Sequence, residues 1–212
     1  MEEQTKNQND IIVGLPWYKY IGHGATAFMV GDVLTYLHER QYSVERCLIS
    51  SPCIDYSRNV LMARALESEN IKFLIQIDHD IAFSDETSFA PASLLSTMLS
   101  EAEKAAVVGA NYLKRHDDIA TPGETWATIL SSEYLDAGIN HHDYCGPAKC
   151  VGFGFVVLNI EIIRKIWLYG PWFQSRQIGN GKPWITEDYR FCGEIIARGG
   201  AVKSVGFVRH LL

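Results

Sequence analysis

The segment Ile71-Lys72-Phe73-Leu74-Ile75-Gln76-Ile77-Asp78-His79-Asp80 decides how the rest of the chain is read. Its first seven residues are nearly all apolar, which suits a central parallel strand covered on both faces. Two aspartates flanking one residue follow at once. Alternate side chains of an extended backbone project to the same side, so Asp78 and Asp80 can face one cation together. Hard divalent metals take oxygen ligands, and carboxylates supply ligand and charge in one group. The competing reading is a solvated turn that ends the strand, because so short a motif also arises by chance.

Outward from this segment, strand and helix patterns alternate. The apolar run 11–15, closed by Pro16, predicts a first strand and a turn. Phe28, Met29, Val33, Leu34 and Leu37 recur at helical spacing within 25–40. A second strand is expected over 44–50 and a helix over 59–68. Leu94, Leu95, Met98, Leu99 and Ala102 mark another amphipathic helix, and 105–110 another strand. Residues 122–147, rich in Gly, His, Asp and Tyr, suit short strands and loops over a site. Then come a strand over 155–160, a short helix over 161–167, and a helix over 188–198 stopped by Gly199-Gly200. A last strand runs over 201–208. The pattern predicts an α/β fold with an open, mostly parallel sheet flanked by helices. Ligands of such sheets sit beyond the carboxyl ends of the strands, where the Asp78–Asp80 triplet falls. No repeat or linker interrupts the chain, so one domain over 1–212 is expected, with 1–10 frayed.

Bulk composition narrows the partners. The chain has 212 residues and 47% hydrophobic content, enough for one generous core. A net charge of −6 argues against a nucleic-acid partner. A small anionic ligand then needs a local positive centre, and a bound metal is the simplest one. The cysteines Cys47, Cys53, Cys145, Cys150 and Cys192 are odd in number and form no CxxC pair, which favours free thiols in a reducing compartment. The polar N-terminus has no signal-peptide pattern, and no stretch is long enough to span a bilayer. A soluble, cytoplasmic protein without a membrane partner is expected.

Further stretches bear on the site. Ser57-Arg58-Asn59, read as a helix start, suits phosphate or nucleotide contact, or is an ordinary cap with a surface arginine. In Val151-Gly152-Phe153-Gly154-Phe155, Gly152 and Gly154 either let a ligand approach the backbone or make a plain turn between core aromatics. Thr186-Glu187-Asp188-Tyr189 places acids at a helix start, where the macrodipole favours them. A carboxylate there can also take the proton of an acceptor hydroxyl. His210 is either a surface residue or a ligand that completes coordination begun by Asp80, since imidazole suits manganese. Lys114 or Arg115, after a strand, offers a second positive contact.

In this order the elements resemble a GT-A glycosyltransferase: an apolar strand ending in Asp-x-Asp, a Ser-Arg-Asn segment upstream, Gly-Phe-Gly-Phe, Thr-Glu-Asp and a late histidine. The likeness runs from Ile11 to His210. Within the family the chain is similar to the N-terminal glycosyltransferase domain of a large chlorella-virus protein, which implies a piece of a longer viral polypeptide acting in the host cytoplasm. The resemblance implies a Rossmann-like GT-A domain. It further implies metal-dependent transfer of a hexose or deoxyhexose from a nucleotide sugar, with UDP as the nucleotide, to a hydroxyl of a glycan or glycoprotein. Mn2+ or Mg2+ would be the cofactor, with Asp80 and His210 as metal ligands. Asp78 would contact the ribose, or the metal through water. Gly14, Leu15 and Pro16, with Asp55 and Arg58, would frame the nucleotide base, and Asn59, Gly152 and Gly154 would belong with them to the nucleotide-sugar site. Glu187 and Asp188 would match the acidic pair near the acceptor, Asp188 being the candidate base of an inverting reaction. The middle residue His79 departs from the pattern. Two rivals stand beside this reading: a non-catalytic nucleotide-sugar-binding module, and a sugar nucleotidyltransferase. The second is disfavoured because Gly14-Leu15-Pro16-Trp17 lacks a glycine-rich, basic signature.

Overall fold

Each residue of Phe73–Ile77 is buried, because the strand has a neighbour on each edge and helices on both faces. The computed structural model describes residues 10–17, 24–84, 90–112, 129–130, 143–177 and 184–211. Its strands, in chain order, are β1 Ile11–Trp17, β2 Val44–Ser50, β3 Phe73–Ile77, β4 Ile81–Phe83, β5 Val107–Asn111, β6 Ile129–Leu130, β7 Cys145–Cys150, β8 Phe155–Asn159, β9 Arg176–Gln177, β10 Trp184–Ile185 and β11 Val202–His210. The helices are α1 Gly24–Glu39, α2 Ile54–Glu67, α3 Pro91–Ala102, α4 Ile160–Ile166 and α5 Glu187–Ala197.

The main sheet has the order β2-β1-β3-β8-β5-β11-β7-β6, with β4 paired to β11 off this path. Strands β1, β2, β3, β5, β6 and β11 run one way, and β4, β7 and β8 the other. The expected α/β class with mostly parallel strands flanked by helices therefore holds. β8 lies antiparallel between β3 and β5, a reversal that no periodicity in the sequence signals.

Strand alternation sorts the core into two layers. Ile11, Val13, Phe73, Ile75 and Ile77 pack with Met29, Val33 and Leu37 of α1 and with Leu94, Leu95, Met98 and Leu99 of α3. Ile12, Leu74, Val156 and Leu158 pack with Leu61, Met62 and Ala65 of α2, Ile163 of α4, and Phe191, Cys192 and Ile195 of α5. None of the five cysteines forms a disulfide. Among the described residues no helix is long and apolar enough to cross a membrane.

Several local expectations are corrected. Pro16 does not close β1, which continues to Trp17 paired with Ser50 of β2. Pairing with β3 stops at Gly14 opposite Gln76, so among the described residues β1 has a strand neighbour on one side only at Pro16, and its missing N–H is tolerated. Phe28 is not a core residue; it is 79% exposed, on the face of α1 turned from the sheet. α2 begins at Ile54, after an extended Cys53, so Ser57-Arg58-Asn59 lies inside the helix and does not open it. Asn159 caps α4 through Ile162 N–H at 2.9 Å. Gly199 leaves α5 with φ +80°, a conformation glycine adopts freely. Most of 122–147 lies outside the described residues, as do Lys114 and Arg115 and nearly all of 1–10.

Candidate active site

The parallel strands deliver the carboxyl ends of β1, β3, β5 and β11 to one side of the sheet, and the Asp78–Asp80 triplet leaves β3 there. Each residue of the triplet is pinned by its backbone from a different element. Asp78 N–H donates to Gly154 O at 2.9 Å, Thr26 of α1 donates its hydroxyl to His79 O at 2.9 Å, and Leu211 N–H donates to Asp80 O at 2.7 Å. Antiparallel pairing of β4 with β11 sets His210 opposite Ile81, one residue from Asp80. The topology thus brings together two residues 130 positions apart that the sequence had proposed as metal ligands. The side chain of His210 is outside the described residues.

Arg58 is the charged hub. It is 3% exposed in the second turn of α2. Its Nη2 donates to both carboxylate oxygens of Asp78, at 3.1 and 2.9 Å, and its Nη1 donates to Glu187 at the start of α5. The guanidinium stands 5.3 Å from the centre of the Phe153 ring, a favourable cation–π placement. Phe153 meets Phe173 and Phe191 edge to face at 5.5 Å each, and those two stack at 4.5 Å. One cation therefore joins the carboxylate of the β3 loop to that of α5 on an aromatic floor. Burial opposes the Arg58 charge, but Asp78 and Glu187 outweigh it and raise its pKa. Burial also raises Asp78 and Glu187, against the pull of Arg58.

The remaining acids divide by their partners. Glu187 is 7% exposed, and its second oxygen lies 3.4 Å from the Ser175 hydroxyl. Asp188, half-buried, accepts from the Thr186 hydroxyl and from Tyr189 N–H at 2.8 Å, both on Oδ1. Asp55 accepts Ser175 N–H at 2.7 Å and the Ser175 hydroxyl at 3.0 Å. Asn59 accepts Trp172 N–H at 2.8 Å and Phe173 N–H at 3.1 Å, and donates to Phe173 O at 2.7 Å. Asp55 and Asn59 thus hold the 172–175 segment against α2, work the sequence reading did not assign them.

The glycines have packing reasons. A Cβ on Gly14 would stand 2.9 Å from Leu61 Cδ1 and 3.2 Å from Leu74 Cδ1, so this glycine lets α2 close on the sheet. Leu15 packs on the opposite layer, and Pro16 and Gly152 are buried. A Cβ on Gly154 would meet Ile81 Cδ1 at 2.7 Å and Tyr112 Cε1 at 2.8 Å. Gly154→Ala is expected to cost about 1–3 kcal/mol by overpacking, with Tyr112 displaced. Thermal melts and the shift of the Tyr112 ring resonances check this, and an unmoved ring would contradict it.

Tyr112 and Ser175 escaped the sequence reading. Tyr112 follows β5 at the same end of the sheet, and burial, with Asp188 and Asp78 nearby, raises its hydroxyl pKa. An aromatic residue just past a parallel strand was the available signal. Nothing local marks Ser175. Among the described residues no three His, Cys, Asp or Glu side chains group to hold a metal ion. Asp78 is engaged with Arg58, whereas Asp80, 6% exposed beside the end of β11, has the oxygen chemistry of a hard-metal ligand.

No protein-family model matches the chain, and no curated protein matches it. Solved structures do. A197 from STIV shares 14% identity at a TM-score of 0.57, covering 95% of this chain and 85% of its own. GalNAc-T7 with UDP, GalNAc and Mn2+ shares 12% identity at a TM-score of 0.53, covering 98% of this chain and 44% of its own. This chain thus spans less than half the length of GalNAc-T7. These likenesses show the fold, which is that of the GT-A glycosyltransferases. The narrower resemblance to a chlorella-virus domain is not shown by them.

Proposed function

We propose that this protein is a metal-dependent glycosyltransferase that moves a hexose or deoxyhexose from a UDP-sugar to a glycan hydroxyl. The observation that carries the reading is the meeting of the Asp78–Asp80 loop, Arg58 and the Glu187-Asp188 helix start at one end of a GT-A sheet. Asp80 and His210 would hold a Mn2+ or Mg2+ ion, which would supply a Lewis acid for the charge left on the departing diphosphate. Asp78, oriented by Arg58, receives the ribose. The ends of β1 and α2, from Gly14 to Pro16 and around Asp55, frame the base, and Gly152 and Gly154 back the sugar.

The two acids of α5 take different parts. Glu187 is tied to Arg58 and Ser175, so it positions the hub. Asp188 uses Oδ1 for its own helix start. That leaves Oδ2 to receive or orient the acceptor hydroxyl proton. A carboxylate so placed serves an inverting reaction as base and a retaining one as an acceptor-orienting group. The product anomer, read by NMR against the donor anomer, distinguishes them.

Incubation with a panel of nucleotide sugars and Mn2+, with assay of free UDP, tests the reading. Release of UDP from one donor, enhanced by a sugar acceptor, is the expected result. Tight UDP binding without release from any donor returns a nucleotide-sugar-binding module instead.

A further inference from the structure

Gln76 is a carboxamide set among hydrocarbon. It is 0% exposed in the middle of β3, and neither its Oε1 nor its Nε2 has a hydrogen-bond partner. Alternation assigns it to the α2 side of the sheet, since Phe73, Ile75 and Ile77 belong to one layer and Leu74 to the other. Its strand neighbours there are Gly14 on β1 and Val156 on β8, and Leu61 of α2 closes over Gly14. One turn before Leu61, on the same face of α2, is Arg58. One step beyond Gln76, on the same side of the strand line, is Asp78, to which Arg58 is bound. Arg58 Nε is itself buried and unpartnered. An orphaned buried donor or acceptor bears its full desolvation penalty. Two orphans on facing elements, one a donor and the other able to accept, have complementary needs, and buried water commonly joins such groups.

We propose that Gln76 is a positioning residue for Arg58. An internal water accepts the Arg58 Nε–H and donates to Gln76 Oε1, fixing the guanidinium between Asp78 and Glu187. The consequence for turnover rests on the glycosyltransferase reading; the placement of Arg58 does not.

Gln76→Met, nearly isosteric and apolar, separates this from a simple misfit. If Gln76 were only a stranded amide, replacing it would raise the melting temperature. As a bridge to Arg58, its loss strands the Nε–H and lowers the melting temperature. In an Arg58→Lys background, which keeps the charge and has no Nε–H, the same substitution no longer lowers it, so the double-mutant cycle shows coupling. By NMR the Arg58 Nε–H of the wild type exchanges slowly and shows a cross-peak to long-lived water, and both signatures vanish in Gln76→Met. This arm stands alone should Arg58→Lys fail to fold. UDP release by Gln76→Met falls roughly ten- to a hundredfold, the scale of a small misplacement at a reacting site. A higher melting temperature in Gln76→Met, or an unchanged Arg58 Nε–H exchange rate, overturns the proposal. A wild type that turns over no donor overturns the transferase reading and leaves the melting and NMR arms readable.

Discussion

Arg58→Met is expected to lower the unfolding free energy by about 3–5 kcal/mol, the usual cost of removing one partner of a buried ion pair. For a chain of this length that is a fall in melting temperature of roughly 6–20 °C. The size follows from what stays behind. Asp78 and Glu187 come from different elements, and both are held toward the point where the guanidinium stood. Methionine fills much of the space above Phe153, so lost packing is the smaller part of the effect. Two partly or wholly buried carboxylates without a cation have folded-state pKa values above their unfolded ones. The native state then binds more protons than the unfolded state as pH rises from the ordinary carboxylate range. The stability deficit of Arg58→Met should therefore shrink in acid, below that window, and deepen as pH rises through the raised values. Chemical denaturation across this range measures it. A deficit below about 1 kcal/mol, the scale of an exposed pair, or one independent of pH, would show that Arg58 does not hold the two acids. Adding Glu187→Gln to Arg58→Met should restore part of the loss at neutral pH.

The central feature of the fold was legible because it is local. An apolar run covered on both faces can be read from residues 71–77 alone, and α3 follows from Leu94, Leu95, Met98, Leu99 and Ala102 at helical spacing. Phe28 broke the same reasoning, since periodicity counts an aromatic side chain without knowing which face it takes. The antiparallel insertion of β8 was hidden because its pairing depends on a chain path, not on any side-chain pattern. The site was legible in part. Asp78 and Glu187 were chosen for charge and position, and Arg58 as a cation near a helix start. Its actual role, joining those acids inside the protein, depends on a contact across 129 positions. Asp55 and Asn59 carry a task that no local pattern marks: their side chains bond the 172–175 segment across 113 to 120 positions of chain.

Asp80→Asn is expected to remove Mn2+-dependent UDP affinity and turnover together while leaving the fold in place. Partners that merely orient metal ligands already cost 10- to 100-fold in affinity, so a ligand itself should cost at least about 100-fold. The substitution keeps the shape of the side chain. The bonds that pin the triplet also survive, because they run through the backbone at Asp78 N–H, His79 O and Asp80 O. Asp78→Asn separates the two aspartates. It takes the charge from the Arg58 pair, so its larger effect falls on stability, with a weaker one on the Mn2+ dependence of UDP binding. Titration calorimetry with UDP, with and without Mn2+, and thermal melts of both variants give four readings. Loss of Mn2+-dependent affinity at an unchanged melting temperature in Asp80→Asn, against a lowered melting temperature in Asp78→Asn, assigns metal holding to one residue and architecture to the other. Unchanged Mn2+-dependent UDP affinity in Asp80→Asn would sink the metal assignment, whatever Asp78→Asn does. The Asp-x-Asp spacing would then describe one carboxylate paired with Arg58 and one buried carboxylate with no part in metal holding.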